Sequence, residues 1–294
     1  MHQNLLQYRR SRYLWVAVAL LVASIVLYLT QDGDLPPNGG SWQGYTLGIV
    51  GALLIVWLSL LGIRKRSYRS TMGTVEGWTS AHVYLGAGLL VIATLHSAFQ
   101  FGFNVHTLLY VLMVGVILSG FFGLFVYMSY PRRLARVRSG RRRKDWLTEL
   151  NGIDVRIHDL AKRCSARTLA VVESALDRTR LGGGVFAQLT GRDRSLVADP
   201  DRDRGESKLV ANPDQEVVID HLSASIPRAR KREEALVLQE LLGLFGRRRT
   251  VLRRLRQDIR LQGWMWIWLF FHVPLTVAVL AALVVHVLAV FVYW

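Results

Sequence analysis

The stretch Trp264 to Trp294, WMWIWLFFHVPLTVAVLAALVVHVLAVFVYW, carries no charge and two histidines, His272 and His286. A helical membrane span needs about 20 predominantly apolar residues, and this run exceeds that. Aromatic residues cluster at both ends, where the two interfaces of a bilayer lie. Each histidine therefore falls well inside the span, in hydrocarbon where a polar group needs a partner, and an ionisable residue at such a depth is a functional-site candidate. The fourteen residues between them turn an ideal helix through about 1400°, roughly 40° short of four turns, so both imidazoles leave nearly the same face, about 21 Å apart along the axis.

A second apolar run, Trp78 to Phe101, repeats the arrangement with His82 and His96, again fourteen apart. Two helices with histidines at equal spacing are suited to clamp two flat ligands between them; the alternative is isolated histidines that bond to helix carbonyls or line a polar cavity. Haem iron takes two axial nitrogens, and its apolar macrocycle prefers such a site to water.

In these residues the chain resembles the dihaem membrane cytochromes b, including the cytochrome b of quinol:cytochrome c complexes and the transmembrane cores of ferric reductases and NADPH oxidases. The resemblance spans Trp78 to Tyr130 and Trp264 to Trp294. It implies two b haems, with His82 and His272 on the inner iron and His96 and His286 on the outer. It also implies an electron-transfer subunit of an oxidoreductase working between the quinone pool and redox partner proteins, with quinone as a further candidate cofactor. The departures matter. The Pro-Glu-Trp-Tyr quinol motif is absent, and the reductases append flavin and nicotinamide domains after a sixth span where this sequence shows five. Electrons are therefore expected to come from partner subunits in a larger complex. No residue is assigned to catalysis, and bis-histidine ligation leaves the iron no open position.

The formal charge of +16 could suggest nucleic acid, but all 37 Lys and Arg fall in Arg9–Arg12, Arg64–Arg69 and Arg132–Arg260. That segregation is an orientation signal, so no nucleic-acid partner is expected. The chain reads as an all-α, multi-pass membrane bundle with lipid around it, in a bacterial-type cytoplasmic membrane. Residues 1–130 hold four spans, 131–263 a helical cytoplasmic insertion with a long polar loop, and 264–294 the fifth span. The amino terminus and insertion lie inside and the carboxyl terminus outside. The third and fifth spans then run parallel, which pairs His82 with His272 and His96 with His286.

The first span is expected over Tyr13–Thr30, retained because no small-residue cleavage pattern precedes QDGDLPPNGG. A loop at Gln31–Ser41 leads to the second, Trp42–Ile63, where Gly44, Gly48 and Gly51 give small-residue spacing for close helix contact, with room for a porphyrin edge as the alternative. Gly86 and Gly88 follow His82 where a macrocycle would lie against backbone. The fourth span runs from His106 to Tyr130, with Pro131 marking its end. Pro274 is expected to kink the fifth and free the carbonyl of Phe270. In the insertion, Asp145–Leu181 and Lys231–Gln262 have helical periodicity, the latter interrupted by Arg248 and leading into the fifth span as one rod. Gly182–Pro227 reads as an exposed loop.

His106, at the outer entrance of the fourth span, is a candidate contact for a haem propionate or quinone; an interfacial histidine meeting headgroups is the alternative. Inner propionates would find Arg64, Lys65, Arg69, Arg132 and Arg133, whereas the outer side has no Lys or Arg. Glu76 is expected in a loop in water. His158, His221 and Cys164 lack ligand spacing and read as structural. A lone cysteine excludes an internal disulfide, and the missing C-x-x-C-H excludes covalent haem. Two rival functions use the same histidines: a proton-coupled transporter or channel subunit in which they line a polar path, and a membrane sensor signalling through the insertion.

Overall fold

The computed structural model describes residues 8–31, 39–67, 72–138, 140–201 and 208–292, with side chains at 127 and 130–138 excluded. Asp32, Asp34, Arg69, Trp294, the middle of the acidic and basic stretch at 202–207, and the side chains of Arg132 and Arg133 lie outside the described residues.

The chain divides into two compact units, one of residues 1–125 and 268–294, the other of 126–267. In the first, α1 spans Arg12–Leu29. Next comes α2, Trp42–Ser59, whose N-cap Ser41 accepts from the Gly44 amide. After Leu60, the short α3 spans Leu61–Arg66. Helix α4, Val75–His96, starts at the Thr74 cap and carries Glu76 in its first turn, where an acid favours the helix dipole. Glu76 is thus helical, not a loop residue. The helix stops at His96, five residues before the expected end, because Ala98 and Phe99 turn left-handed, at φ 46° and 61°.

Helix α5 runs Val105–Arg138, through Pro131 and well past the expected end at Tyr130. Proline lacks one helix donor but does not stop the backbone here. Among the described residues five helices, α1, α2 with α3, α4, the Val105–Val126 part of α5 and the last helix, are long and apolar enough to cross a membrane.

Within the first unit α4 packs against α1 and α2. Gly88 meets Leu21 of α1 and Gly86 meets Leu58 of α2. Both glycines thus lie at helix contacts.

The second unit is a small domain with its own core. The span expected as one helix over Asp145–Leu181 breaks into α6, Arg143–Ala161, and α7, Ala166–Asp177, the latter capped by Ser165. The expected loop Gly182–Pro227 is largely structured. It forms α8, Val185–Thr190, a hairpin of β1, Leu196–Ala198, and β2, Leu209–Ala211, and α9, Glu216–Ser225. Val197, Val218 and Leu222 from this stretch are fully buried. Its few apolar residues are thus spent on the core, a fact its polar composition conceals.

The last helix, α10, runs Arg232–Val292 with Pro274 inside it, the single long helix expected from the sequence. In the second unit, Leu238, Leu241, Phe245, Leu252 and Leu255 of α10 fill the core against Ile157 of α6 and Val172 of α7. Arg248, in the middle of that apolar row, is 1% exposed. Its guanidinium reaches both Asp154 carboxylate oxygens, Thr179 Oγ1 and Gln215 Oε1, so the buried charge is paired and hydrogen-bonded.

Candidate functional site: two histidine pairs

In the first unit α2 lies beside both α4 and the α5–α10 pair. Ala52 and Ile55 pack on Leu109 of α5 and Val279, Ala282 and Leu283 of α10, while Leu58 clusters with Leu89 of α4 and Met113 of α5. This arrangement brings the four span histidines into two groups. His96 and His286 have ring centroids 6.1 Å apart with planes at 84°. At the other end His82 and His272 stand within electrostatic reach of each other, and Lys65 acts on both.

Each of the four rings commits Nδ1 to a partner. His82 Nδ1 is 3.1 Å from the Leu58 carbonyl oxygen, and His96 Nδ1 is 2.8 Å from that of Gly44. A carbonyl only accepts, so in a neutral imidazole the proton sits on Nδ1 and Nε2 carries a bare lone pair. Leu58 belongs to the last turn of α2, just before the interruption at Leu60, where carbonyls lose helical partners.

His272 Nδ1 is 2.6 Å from Ser119 Oγ, whose hydroxyl donates to the Val116 carbonyl at 2.8 Å. With its proton spent there, Ser119 accepts from His272, which again leaves Nε2 unprotonated. His286 Nδ1 is 2.6 Å from Nδ1 of His106. Among the described residues, no hydrogen bond reaches Nε2 of His82, His96, His272 or His286.

Small residues make this geometry fit. A Cβ on Gly48 would stand 2.7 Å from His96 Cε1. The Gly44 and Gly48 spacing, expected to serve helix contact, is thus where the His96 ring rests. On α5, Gly120 lies under His272, and a Cβ on Gly123 would fall 2.1 Å from the Trp268 ring, whose Nε1 donates to the Ser119 carbonyl at 2.8 Å.

The sequence did not point to Ser119, Gly44, Gly48 or Leu58 as partners of these histidines. A hydroxyl in an apolar span was the available signal for Ser119, but its neighbour on another helix is set by packing alone. His106 was singled out for a propionate or quinone; the structure places its ring against His286. Among the described residues no group of three or more His, Cys, Asp or Glu stands close enough together to hold a metal ion. In the other unit His158 meets Glu173 at 3.6 Å, burial holds His221 below its usual value, and burial, then nearby Glu234, raises the Cys164 thiol.

No protein-family profile matches the chain, and no curated protein or solved structure matches it significantly.

Proposed function

We propose that the chain is a dihaem cytochrome b subunit that moves electrons across a membrane, between the quinone pool and redox partner proteins of a larger oxidoreductase. One observation carries this reading: four span histidines fall into two groups, each ring with Nδ1 engaged and Nε2 left for a metal. That is the arrangement of ligating histidines, whose second nitrogen is held by a carbonyl or side chain. The separation at one end also suits it. With metal–imidazole bonds of about 2 Å, two rings on one ion have centroids roughly 6 Å apart, as His96 and His286 do.

His82 and His272 would hold one b haem, and His96 and His286 the other. Bound there, haem supplies a one-electron Fe(III)/Fe(II) couple. The protein's part would be to fix the tautomers of the four histidines and to separate the two sites along the helices. Lys65 supports propionate binding at the His82/His272 end. The membrane reading is supported by the apolar helices and by the segregation of Lys and Arg, which favours a cytoplasmic insertion that would dock a soluble partner.

The transporter reading draws on the contact of His106 with His286, a pair of nitrogens able to pass a proton. It leaves unexplained why, among the described residues, none of the four Nε2 atoms has a hydrogen-bond partner, and it requires a colourless protein. A reduced-minus-oxidised absorption spectrum of the purified chain, with haem quantified after acid-solvent extraction, separates the readings. Two extractable b haems per chain are expected; one or none defeats the proposal.

A further inference from the structure

The four histidines are not supported alike. Both α4 rings hand their Nδ1 protons to backbone carbonyls of α2, Leu58 and Gly44. These acceptors are the same chemical group at both ends. The α10 rings instead meet side chains of α5, a serine hydroxyl for His272 and an imidazole for His286, both at 2.6 Å. Whatever makes the two ends chemically different through their ligands' hydrogen bonds therefore enters through α5.

The proton positions follow from the partners. Ser119 donates to Val116, so it offers His272 only an oxygen lone pair. Between the two Nδ1 atoms of His106 and His286 only one proton fits. A metal on His286 Nε2 would occupy that ring's lone pair, so the shared proton would belong to His286 and the His106 nitrogen would accept it. An imidazole nitrogen is a stronger hydrogen-bond acceptor than a hydroxyl oxygen whose own proton is already given away. A stronger acceptor draws the Nδ1 proton outward and makes the ligating imidazole more electron-rich. An electron-rich axial ligand favours the ferric state.

We infer that Ser119 and His106 are the positioning residues of the two α10 ligands, and that the stronger acceptor, His106, sets the His96/His286 site at the lower potential. The inference rests on the dihaem reading. Neither residue touches iron; each acts through the histidine it holds. Lys65, which acts on both His82 and His272, pushes in the same direction, because positive charge favours the reduced centre.

The test is a potentiometric titration of the full chain in membranes, followed in the α-band of reduced haem, for His106→Ala, His106→Asn, Ser119→Ala and Ser119→Thr. His106→Ala should shift the Fe(III)/Fe(II) equilibrium of one haem on the order of tenfold toward ferrous, about 59 mV upward for a one-electron couple. The other haem should stay unchanged. His106→Asn keeps a weaker carbonyl acceptor and should fall between. Ser119→Ala should raise the other haem by less, and Ser119→Thr should restore it. Full haem content with unmoved potentials in His106→Ala overturns the inference. So does loss of the same haem in both His106 variants, which would make the contact merely structural. A wild-type chain without haem defeats the dihaem reading itself, a separate result read before any variant is made.

Discussion

In the unit of residues 1–125 and 268–294, large apolar side chains face outward, with Leu53 65% and Phe291 79% exposed; in the insertion, Ile157 and Phe245 are at 0%. The two units are inverted relative to one another. The insertion follows the rule for proteins in water, with apolar residues inside and ion pairs such as Arg143–Asp258 and Arg256–Asp193 on and near its surface. The other unit has little to gain from burying apolar groups if its surroundings are apolar too, so polar contacts and close packing of small residues do the specifying. Two of its polar side chains, Ser119 and His106, are spent on the histidines.

The sharpest way to break this comparison is to remove a histidine. His82→Ala and His272→Ala should each abolish the same haem signal, and His96→Ala and His286→Ala the other, with the insertion unaffected. Redox titration of the four variants checks the sorting; grouping of 82 with 286, or of 82 with 96, would refute two parallel pairs. Asp154→Ala is the converse change. It strands the Arg248 charge in the insertion's core and should destabilise that unit by about 3 kcal/mol while leaving the absorption spectrum intact. Hydrogen exchange of α6 and α7 measures it.

Gly48→Ala tests whether space alone holds a ligand. The added methyl should displace the His96 ring and lower occupancy at the His96/His286 site, read as a fall of one haem band with the other unchanged. The smallest effect is expected from acid. Hydrogen bonds from Arg247, then Arg141, hold the Glu149 carboxyl below its usual range, and Arg253 does the same for Asp214. A depressed folded pKa contributes stability that is present above the ordinary carboxylate value and lost as the pH falls through the folded one. Exchange protection in the insertion should therefore decline modestly below that range, whereas the histidine unit, held without these pairs, should not follow. Parallel decline in both units would show that they are not independent.

Much of this architecture was written in one-dimensional signals. Hydropathy over long windows marks the apolar helices because twenty consecutive residues must all match one environment. The fourteen-residue repeat gives the four histidines because helical geometry converts spacing into a common face. The long helix leading into the last apolar run was legible for the same reason, its apolar steps of three and four continuing up to Gln262. Where the reading failed, composition stood in for contacts. The stretch Gly182–Pro227 is polar, yet Val197, Val218 and Leu222 anchor it, and three buried side chains scarcely change a composition.

What the sequence by itself determined is the set of helices and the ligand candidates they carry, since both depend on local chemistry and periodicity. Only the tertiary structure decided which atoms complete each histidine: the carbonyls of Leu58 and Gly44, the hydroxyl of Ser119 and the ring of His106. Gly44 lies 52 positions from His96, and His106 lies 180 from His286. No periodicity reaches so far, because a hydrogen bond between helices depends on their axial offset and rotation, which the packing of every other side chain sets together.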